Sequence, residues 1–101
     1  MFCVIYSFTV KPNLEKDFVK GWTGLTQLIY KHEGSLGSRL HQKSDNEYIA
    51  YAQWPLKATW KNSGNNLPEQ ANNFRKLMKE SCTKIQTEME LPVTVDLLVL
   101  N

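Results

Sequence analysis

The sequence predicts an α+β fold: a ferredoxin-like β-α-β-β-α-β unit with an antiparallel sheet. Apolar residues alternate with a period of two near both ends of the chain, and two stretches between them have helical spacing. This order of elements is that of the ferredoxin-like unit. We expect both helices to cover one face of the sheet. A length of 101 residues fits one domain, spanning 1–101.

The first strand and the first helix are recognised by a change of spacing after Val10. Phe2–Val10 is apolar on both faces, which is typical of a strand covered on two sides. Asn13 follows and is expected to cap a helix that begins at Leu14. Gly34 is the expected end of that helix.

The second half of the chain predicts two strands, two helices and a last strand. Residues 36–43 and 47–54 alternate around a turn-forming Ser-Asp-Asn, which is typical of a hairpin. A short helix is predicted to follow Pro55. A longer helix is predicted from an apolar stripe at spacings of three and four: Ala71, Phe74, Leu77, Met78, Cys82 and Ile85. Residues 93–99 then alternate and predict the final strand.

The helix-free face of this sheet predicts a partner. The first and last predicted strands carry apolar residues on both sides, so this face would expose a larger apolar patch than monomers usually tolerate. Two sheets packed face to face would cover it. We therefore expect a homodimer through the sheet face.

Composition excludes several other classes of protein. Two cysteines cannot form the disulfide framework of a small secreted domain. A net charge of +2 with no run of like charges does not indicate a nucleic-acid or membrane partner. Two His and two Cys without ligand-like spacing predict no metal site, and no nucleotide-binding motif indicates a cofactor. The expected location is cytoplasmic, because neither a signal peptide nor a membrane span is apparent.

Two segments resemble a known family. Residues 34–41, GSLGSRLH, resemble the second strand of antibiotic biosynthesis monooxygenase (ABM) domains. Residues 48–54, YIAYAQW, followed by KATW at 57–60, are similar to the family's strand, Trp and short aromatic helix. The resemblance implies a dimeric α+β barrel. It also implies either oxygenation of phenols and quinols without a cofactor or degradation of haem.

The haem-degrading branch of the family uses three residues that this chain lacks. Its Asn, Trp and His would fall near Ser7, Ser63 and Asn73. Neither Ser nor Asn replaces an imidazole that ligates iron. The sequence therefore argues against haem degradation.

Six residues are candidates for the site. His41 is the candidate catalytic residue, a general base, because histidine is the side chain best suited to proton transfer near neutral pH, although a surface histidine is the simpler interpretation. The candidate substrate-binding residues are Ser7, Trp22, Tyr51, Trp60 and Asn73. The tryptophans, together with Trp54, would line an aromatic-binding cavity or form ordinary core. Ala50 and Ala52 share one face of a strand and would leave space there.

The residues leave two functions open. The first is a cofactor-independent monooxygenase that acts on a small aromatic or quinol-type substrate bound between the sheet and the helices. The alternative is a non-catalytic small-molecule-binding or stress-response dimer, which keeps the scaffold without oxygenase activity. The missing histidines favour the alternative, and the aromatic framework permits the enzyme.

Overall fold

A computed structural model describes residues 1–98, in which an antiparallel sheet carries its long helices on one face. The strands are ordered β2-β3-β1-β4, which confirms the predicted α+β fold. Within residues 1–98, no helix has the length and apolarity needed to cross a membrane. The elements, in chain order, are β1 Phe2–Val10, α1 Glu15–His32, β2 Gly37–Ser44, β3 Glu47–Trp54, α2 Lys57–Lys61, α3 Ala71–Ser81 and β4 Cys82–Pro92.

Helix α1 begins one residue later than the sequence predicts, and Asn13 does not cap it. Leu14 is the capping residue, and no side chain caps the helix. Asn13 instead adopts φ 71°, a left-handed conformation that Asn tolerates better than most residues, and its N–H lies 3.3 Å from Glu15 Oε1. The end is as predicted, because Gly34 follows the C-cap Glu33 with φ 77°.

Alternate residues of the two central strands form the core beneath the helices. Phe18 of α1 is fully buried between two aromatic rings of the sheet. Its ring centroid lies 5.0 Å from that of Phe8 and 5.1 Å from that of Tyr48. These spacings suit tilted aromatic pairs. The core is thus built from the β1 face that holds Phe8 and the β3 face that holds Tyr48, as the alternation predicts.

The prediction for the last helix and strand is wrong. Helix α3 ends at Ser81, and Cys82–Pro92 forms an edge strand that pairs antiparallel with β1. Cys82 and Ile85 follow Met78 at intervals of four and three residues, which is a helical spacing, but both belong to β4. Thr83, Ile85 and Thr87 are β-branched at every second position, a pattern that favours a strand. Residues 93–98 are not in a strand, and Val99, the end of the predicted one, lies outside the described residues.

The helix-free face is partly covered by the chain itself. After β4, the N–H of Val93 donates to the carbonyl of Met1 at 3.0 Å, and residues 93–98 line the same depression as Cys3 and Tyr51. Cys3 is buried there. Val95 and Leu97 nevertheless remain 71% and 87% exposed. The dimer stays a prediction, since a single chain is described.

Two glycines bring α1 close to α3. The sequence leaves open whether Gly21 and Gly24 mark close packing or a loosened turn, and the structure shows close packing. A Cβ on Gly21 would lie 2.9 Å from Met78 Cγ and 3.0 Å from the Phe74 carbonyl oxygen, and one on Gly24 would meet the Phe74 ring. Because these neighbours include backbone, they cannot move aside cheaply.

Substitution Gly21→Ala should therefore destabilise the protein. Helix propensity alone favours alanine by about 1 kcal/mol. Overpacking costs about 1–3 kcal/mol. We expect a cost near the upper end of this range, because the Cβ would lie 3.0 Å from the Phe74 carbonyl oxygen, a backbone atom. We expect a net loss of about 1–2 kcal/mol in the free energy of unfolding, measured by urea denaturation.

Thr23→Ala is the matched control for this substitution, because Thr23 is an exposed residue of the same helix. Its effect should stay within about 0.5 kcal/mol. A Gly21→Ala variant that is more stable than the wild type would contradict the close packing of α1 on α3.

Candidate functional site

A cavity of about 290 Å³ lies between the sheet and the two long helices. Ala50 and Ala52 of β3 form part of its floor, since their methyl groups do not fill the space that larger side chains would occupy. This matches the space that the sequence indicates on that face. The lining residues are Tyr6, Phe8, Trp22, Leu25, Thr26, Ile29, Ser35, Ser38, Ala50, Ala52, Trp54, Arg75, Met78 and Ile85.

The size of the cavity suits a small ligand. Drug-sized ligands occupy sites of about 300–1,000 Å³, and an apolar cavity of about 150 Å³ accepts benzene. A volume of about 290 Å³ therefore accommodates a molecule of one or two rings. Ile85 lies on the edge strand and is 44% exposed, so the cavity communicates with solvent on that side.

A buried hydroxyl of the cavity is held by a tryptophan. Trp60 Nε1 donates a hydrogen bond of 2.7 Å to Tyr6 Oη. Because this bond uses a lone pair of the oxygen, the hydroxyl hydrogen of Tyr6 stays available to donate. Burial raises the pKa of Tyr6 above its ordinary 10.0; the Trp60 bond lowers it and the charge of Glu90 raises it. Tyr6 is thus a neutral donor at physiological pH.

Two further donors of the cavity have no acceptor within residues 1–98. Arg75 is half-buried on α3, and in this part of the chain neither an ion pair nor a hydrogen bond engages its guanidinium. Trp54 is only 3% exposed, and its buried Nε1 also lacks a hydrogen-bond partner here. A fully buried donor without an acceptor, such as Trp54 Nε1, is rare in folded proteins.

The structure places the sequence-predicted residues on two faces of the sheet. Trp22 lines the cavity, and Trp60 lies behind it through its bond to Tyr6. Asn73 is exposed on α3. Three other candidates lie on the helix-free face, as their registers with β1 and β3 show: Ser7, His41 and Tyr51.

The residues on the helix-free face have structural partners. Ser7 Oγ donates to Glu88 Oε1 at 2.6 Å, and His41 Nδ1 lies 3.3 Å from the Ile49 carbonyl oxygen. Tyr51 Oη lies 3.1 Å from Cys3 Sγ, and this bond, with burial, raises the pKa of Tyr51. The sheet separates these side chains from the cavity. His41 as a general base therefore stays a prediction, with its imidazole on the face opposite the cavity.

Sequence reasoning missed Arg75, although it named Trp54 among the residues that would line an aromatic-binding cavity. The signal for Arg75 was present in the spacing of α3. Arg75 lies four residues after Ala71 and three before Met78, both of them buried, so it falls on the buried stripe of the helix. A cation at such a position indicates a charge that faces the interior.

A larger depression of about 640 Å³ lies outside the helix pair. It is a surface groove, since much of its lining consists of exposed α1 side chains, among them Lys16, Lys20, Thr23 and Gln27. Neither Tyr6, Trp54 nor Arg75 is among the described residues that line it. Within residues 1–98, no three His, Cys, Asp or Glu side chains gather as a metal site would require.

Solved structures with this fold include named oxygenases. One is SnoaB, a cofactor-independent oxygenase from Streptomyces nogalater, at 13% identity and a TM-score of 0.73 over 95% of both chains. Another, a proposed ABM protein from Bordetella bronchiseptica, has 20% identity and a TM-score of 0.72 over 93% of this chain and 97% of its own. A third, from Deinococcus radiodurans, has 7% identity and 0.76 over both full chains.

The chain has the fold of ABM proteins. Many of its structural neighbours carry that name, which confirms the resemblance at the level of fold. No family model matches the sequence, and no curated protein matches it either. At identities of 7–20% the likeness to these ABM proteins shows the fold alone.

The raised pKa of Tyr6 predicts a loss of stability at alkaline pH. Above pH 10.0 the unfolded chain releases the phenolic proton while the folded protein retains it. The folded state then binds more protons, so the free energy of unfolding falls as the pH rises through the folded-state pKa. Tyr6→Phe should reduce this fall, at a cost of about 1 kcal/mol at neutral pH for the lost hydrogen bond.

Urea denaturation between pH 8 and pH 11.5 measures this effect under reducing conditions. Tyr30→Phe is the control, because Tyr30 is 60% exposed. Cys82 and Tyr51 add to the alkaline loss in both variants, since their pKa values are also raised. Equal pH dependence in Tyr6→Phe and Tyr30→Phe would contradict the burial of the Tyr6 hydroxyl.

Proposed function

We propose that this protein binds a small, flat, largely apolar aromatic or quinol-type molecule in the cavity and oxygenates it without a cofactor. The observation that carries the proposal is the cavity itself, whose walls are aromatic and aliphatic and whose polar groups include hydrogen-bond donors. The fold shared with SnoaB, a named cofactor-independent oxygenase, supports the reaction class.

The substrate supplies the electrons in this reaction. A phenol loses its proton, and the electron-rich ring carbon of the phenolate bonds to O₂ to give a peroxide. Cleavage of the O–O bond leaves one oxygen on carbon as a carbonyl and releases the other as water. Dioxygen gains four electrons from the carbon centre, and two substrate hydrogens leave in the water.

The residues of the cavity favour the first of these steps. Tyr6 donates to an oxygen that becomes negative, and the positive charge of Arg75 stabilises the phenolate relative to the phenol. Trp22 and the alanines of β3 shape a flat, dry space around the ring. The released proton passes to solvent on the side of Ile85, since neither imidazole nor carboxylate lines the cavity among the described residues.

A second candidate function is a non-catalytic binding module of the same scaffold, including one with a stress-response role. The observation that favours it is the same lack of an imidazole or carboxylate in the cavity lining. Binding needs only the shape and the donors of the cavity. Oxygen uptake separates the two candidates.

We also propose that the chain forms a homodimer through the helix-free face. Single chains rarely keep a large contiguous apolar patch exposed. Here Met89 is 50% exposed on β4, and Val95, Leu97 and Leu98 are 71%, 87% and 63% exposed just after it. A second copy presents the same surface, so a two-fold interface covers both patches at once.

Oxygen uptake tests the proposed reaction. Metal-free protein should consume oxygen with at least one member of a panel of dihydroxynaphthalenes, above the protein-free blank, as measured with an oxygen electrode. Ala50→Val adds two methyl groups to the floor of the cavity and should lower the uptake at least about fivefold, because overpacking costs about 1–3 kcal/mol and about 1.4 kcal/mol is a factor of ten.

Two variants serve as comparisons in this assay. Ala58→Val makes the same change at an exposed position of α2 and should keep the wild-type rate. His41→Ala tests the predicted base: a fall of about 10²–10⁴-fold identifies a general base, whereas an unchanged rate assigns proton release to solvent. Binding without uptake across the panel would exclude oxygenation of these substrates and favour the non-catalytic module.

Light scattering tests the assembly. At micromolar concentration the particle should have about twice the chain mass of 11.7 kDa. Leu97→Asp and Leu98→Asp together should shift it toward one chain, because each buries a charge in the proposed interface. A wild-type particle of one chain mass would contradict the dimer.

A further inference from the structure

Several side chains of the cavity lining carry hydrogen-bond donors. Arg75 and Trp54 offer N–H donors, and Tyr6 offers a hydroxyl whose acceptor side already binds Trp60. Within residues 1–98 no acceptor engages Arg75 or the indole N–H of Trp54. The cavity lining thus contains donors that the described protein leaves without acceptors.

Among the residues that the structure describes, the cavity lining has a positive charge and no negative one. It includes one cation, Arg75, and no carboxylate among the described residues. Two other carboxylates do not pair with it: Glu90 lies 3.3 Å from Lys57 Nζ, and Glu33 accepts a hydrogen bond from the Asn66 backbone through Oε1, while its buried Oε2 has no partner within residues 1–98. Arg75 is half-buried, and no carboxylate in the part of the chain that the structure describes forms an ion pair with it.

A ligand with a negatively charged oxygen group can supply the acceptor that Arg75 does not have within residues 1–98. We propose that the cavity selects small aromatic molecules of one or two rings that carry one anionic oxygen group, and that Arg75 binds this group. The proposal rests on the proposed function, because it names the substrate class of the same cavity. Carboxylates and ionised phenols share this chemistry, a negatively charged oxygen group carried by a flat ring system.

Arginine is suited to this role. Its guanidinium is planar and permanently charged, and it binds a carboxylate through two parallel hydrogen bonds. Hydrogen bonds to charged groups are roughly twice as strong as hydrogen bonds between neutral groups. Tyr6 remains protonated at neutral pH, so it adds a neutral donor rather than a second negative charge.

Calorimetric titration with a matched pair of probes tests the proposal. 2-Naphthoate and 2-naphthamide have the same rings and nearly the same shape, but only naphthoate is charged. The wild type should bind 2-naphthoate at least about tenfold more tightly than 2-naphthamide. Arg75→Gln should remove this preference while the affinity for 2-naphthamide changes less than about threefold.

Lys79→Gln is the control variant, since Lys79 is an exposed cation one turn further along α3 and its loss changes the net charge equally. It should keep the full preference for 2-naphthoate. Retained 2-naphthamide binding by Arg75→Gln shows that the variant is folded. Arg75→Lys should keep part of the preference for 2-naphthoate, because lysine retains the positive charge but lacks the planar N–H donors of the guanidinium.

The outcomes separate this proposal from the proposed function. Equal binding of the two probes to the wild type, or an unchanged preference in Arg75→Gln, overturns the role of Arg75 and leaves binding in the cavity intact. An equal loss of preference in Lys79→Gln also overturns it, because the effect would then reflect net charge. Binding of neither probe overturns both proposals.

Discussion

The close contact between α1 and α3 determines the shape of the layer that lies over the sheet. Because Gly21 lacks a side chain, the α3 backbone approaches α1 to about the distance of van der Waals contact. The paired helices then cover β1 and β3 as one unit, with Phe18 fixed between two aromatic rings. Where β3 carries Ala50 and Ala52 instead of large residues, this rigid layer cannot collapse onto the sheet. The cavity is the consequence.

The two faces of the sheet therefore have different chemistry. The helix-covered face combines an apolar space with Tyr6, Trp54 and Arg75, which are donors and a cation. The opposite face carries His41 and the partly covered Tyr51, together with exposed apolar residues after β4. The proposed binding takes place on the first face, and the proposed self-association on the second. The same separation explains why His41, the residue predicted as the general base, lies on the face opposite the cavity in which a substrate would bind.

Sequence patterns predicted most of the fold but less of the site. The alternation of apolar residues located β1 and β3, because successive side chains of a strand point to opposite faces of the sheet. Gly34 marked the end of α1. The last strand was missed because Cys82 and Ile85 continue a helical spacing, and only pairing with β1 decides between the two structures. The predicted site included Trp22 and Trp60, and it also included Ser7, His41 and Tyr51, which lie on the opposite face of the sheet. Assigning a face requires the register, which a single strand does not specify.

Binding in the cavity is the central claim, and the three tryptophan indole N–H signals report on it directly. Titration of the ¹⁵N-labelled protein with 2-naphthol, an uncharged two-ring phenol, should shift the signals of Trp22 and Trp54 with saturation, because both side chains line the cavity. The side-chain proton signals of His41 and Ile49, which lie on the other face of the sheet, should shift little. Shifts concentrated at His41 and Ile49, with Trp22 and Trp54 unchanged, would contradict the account.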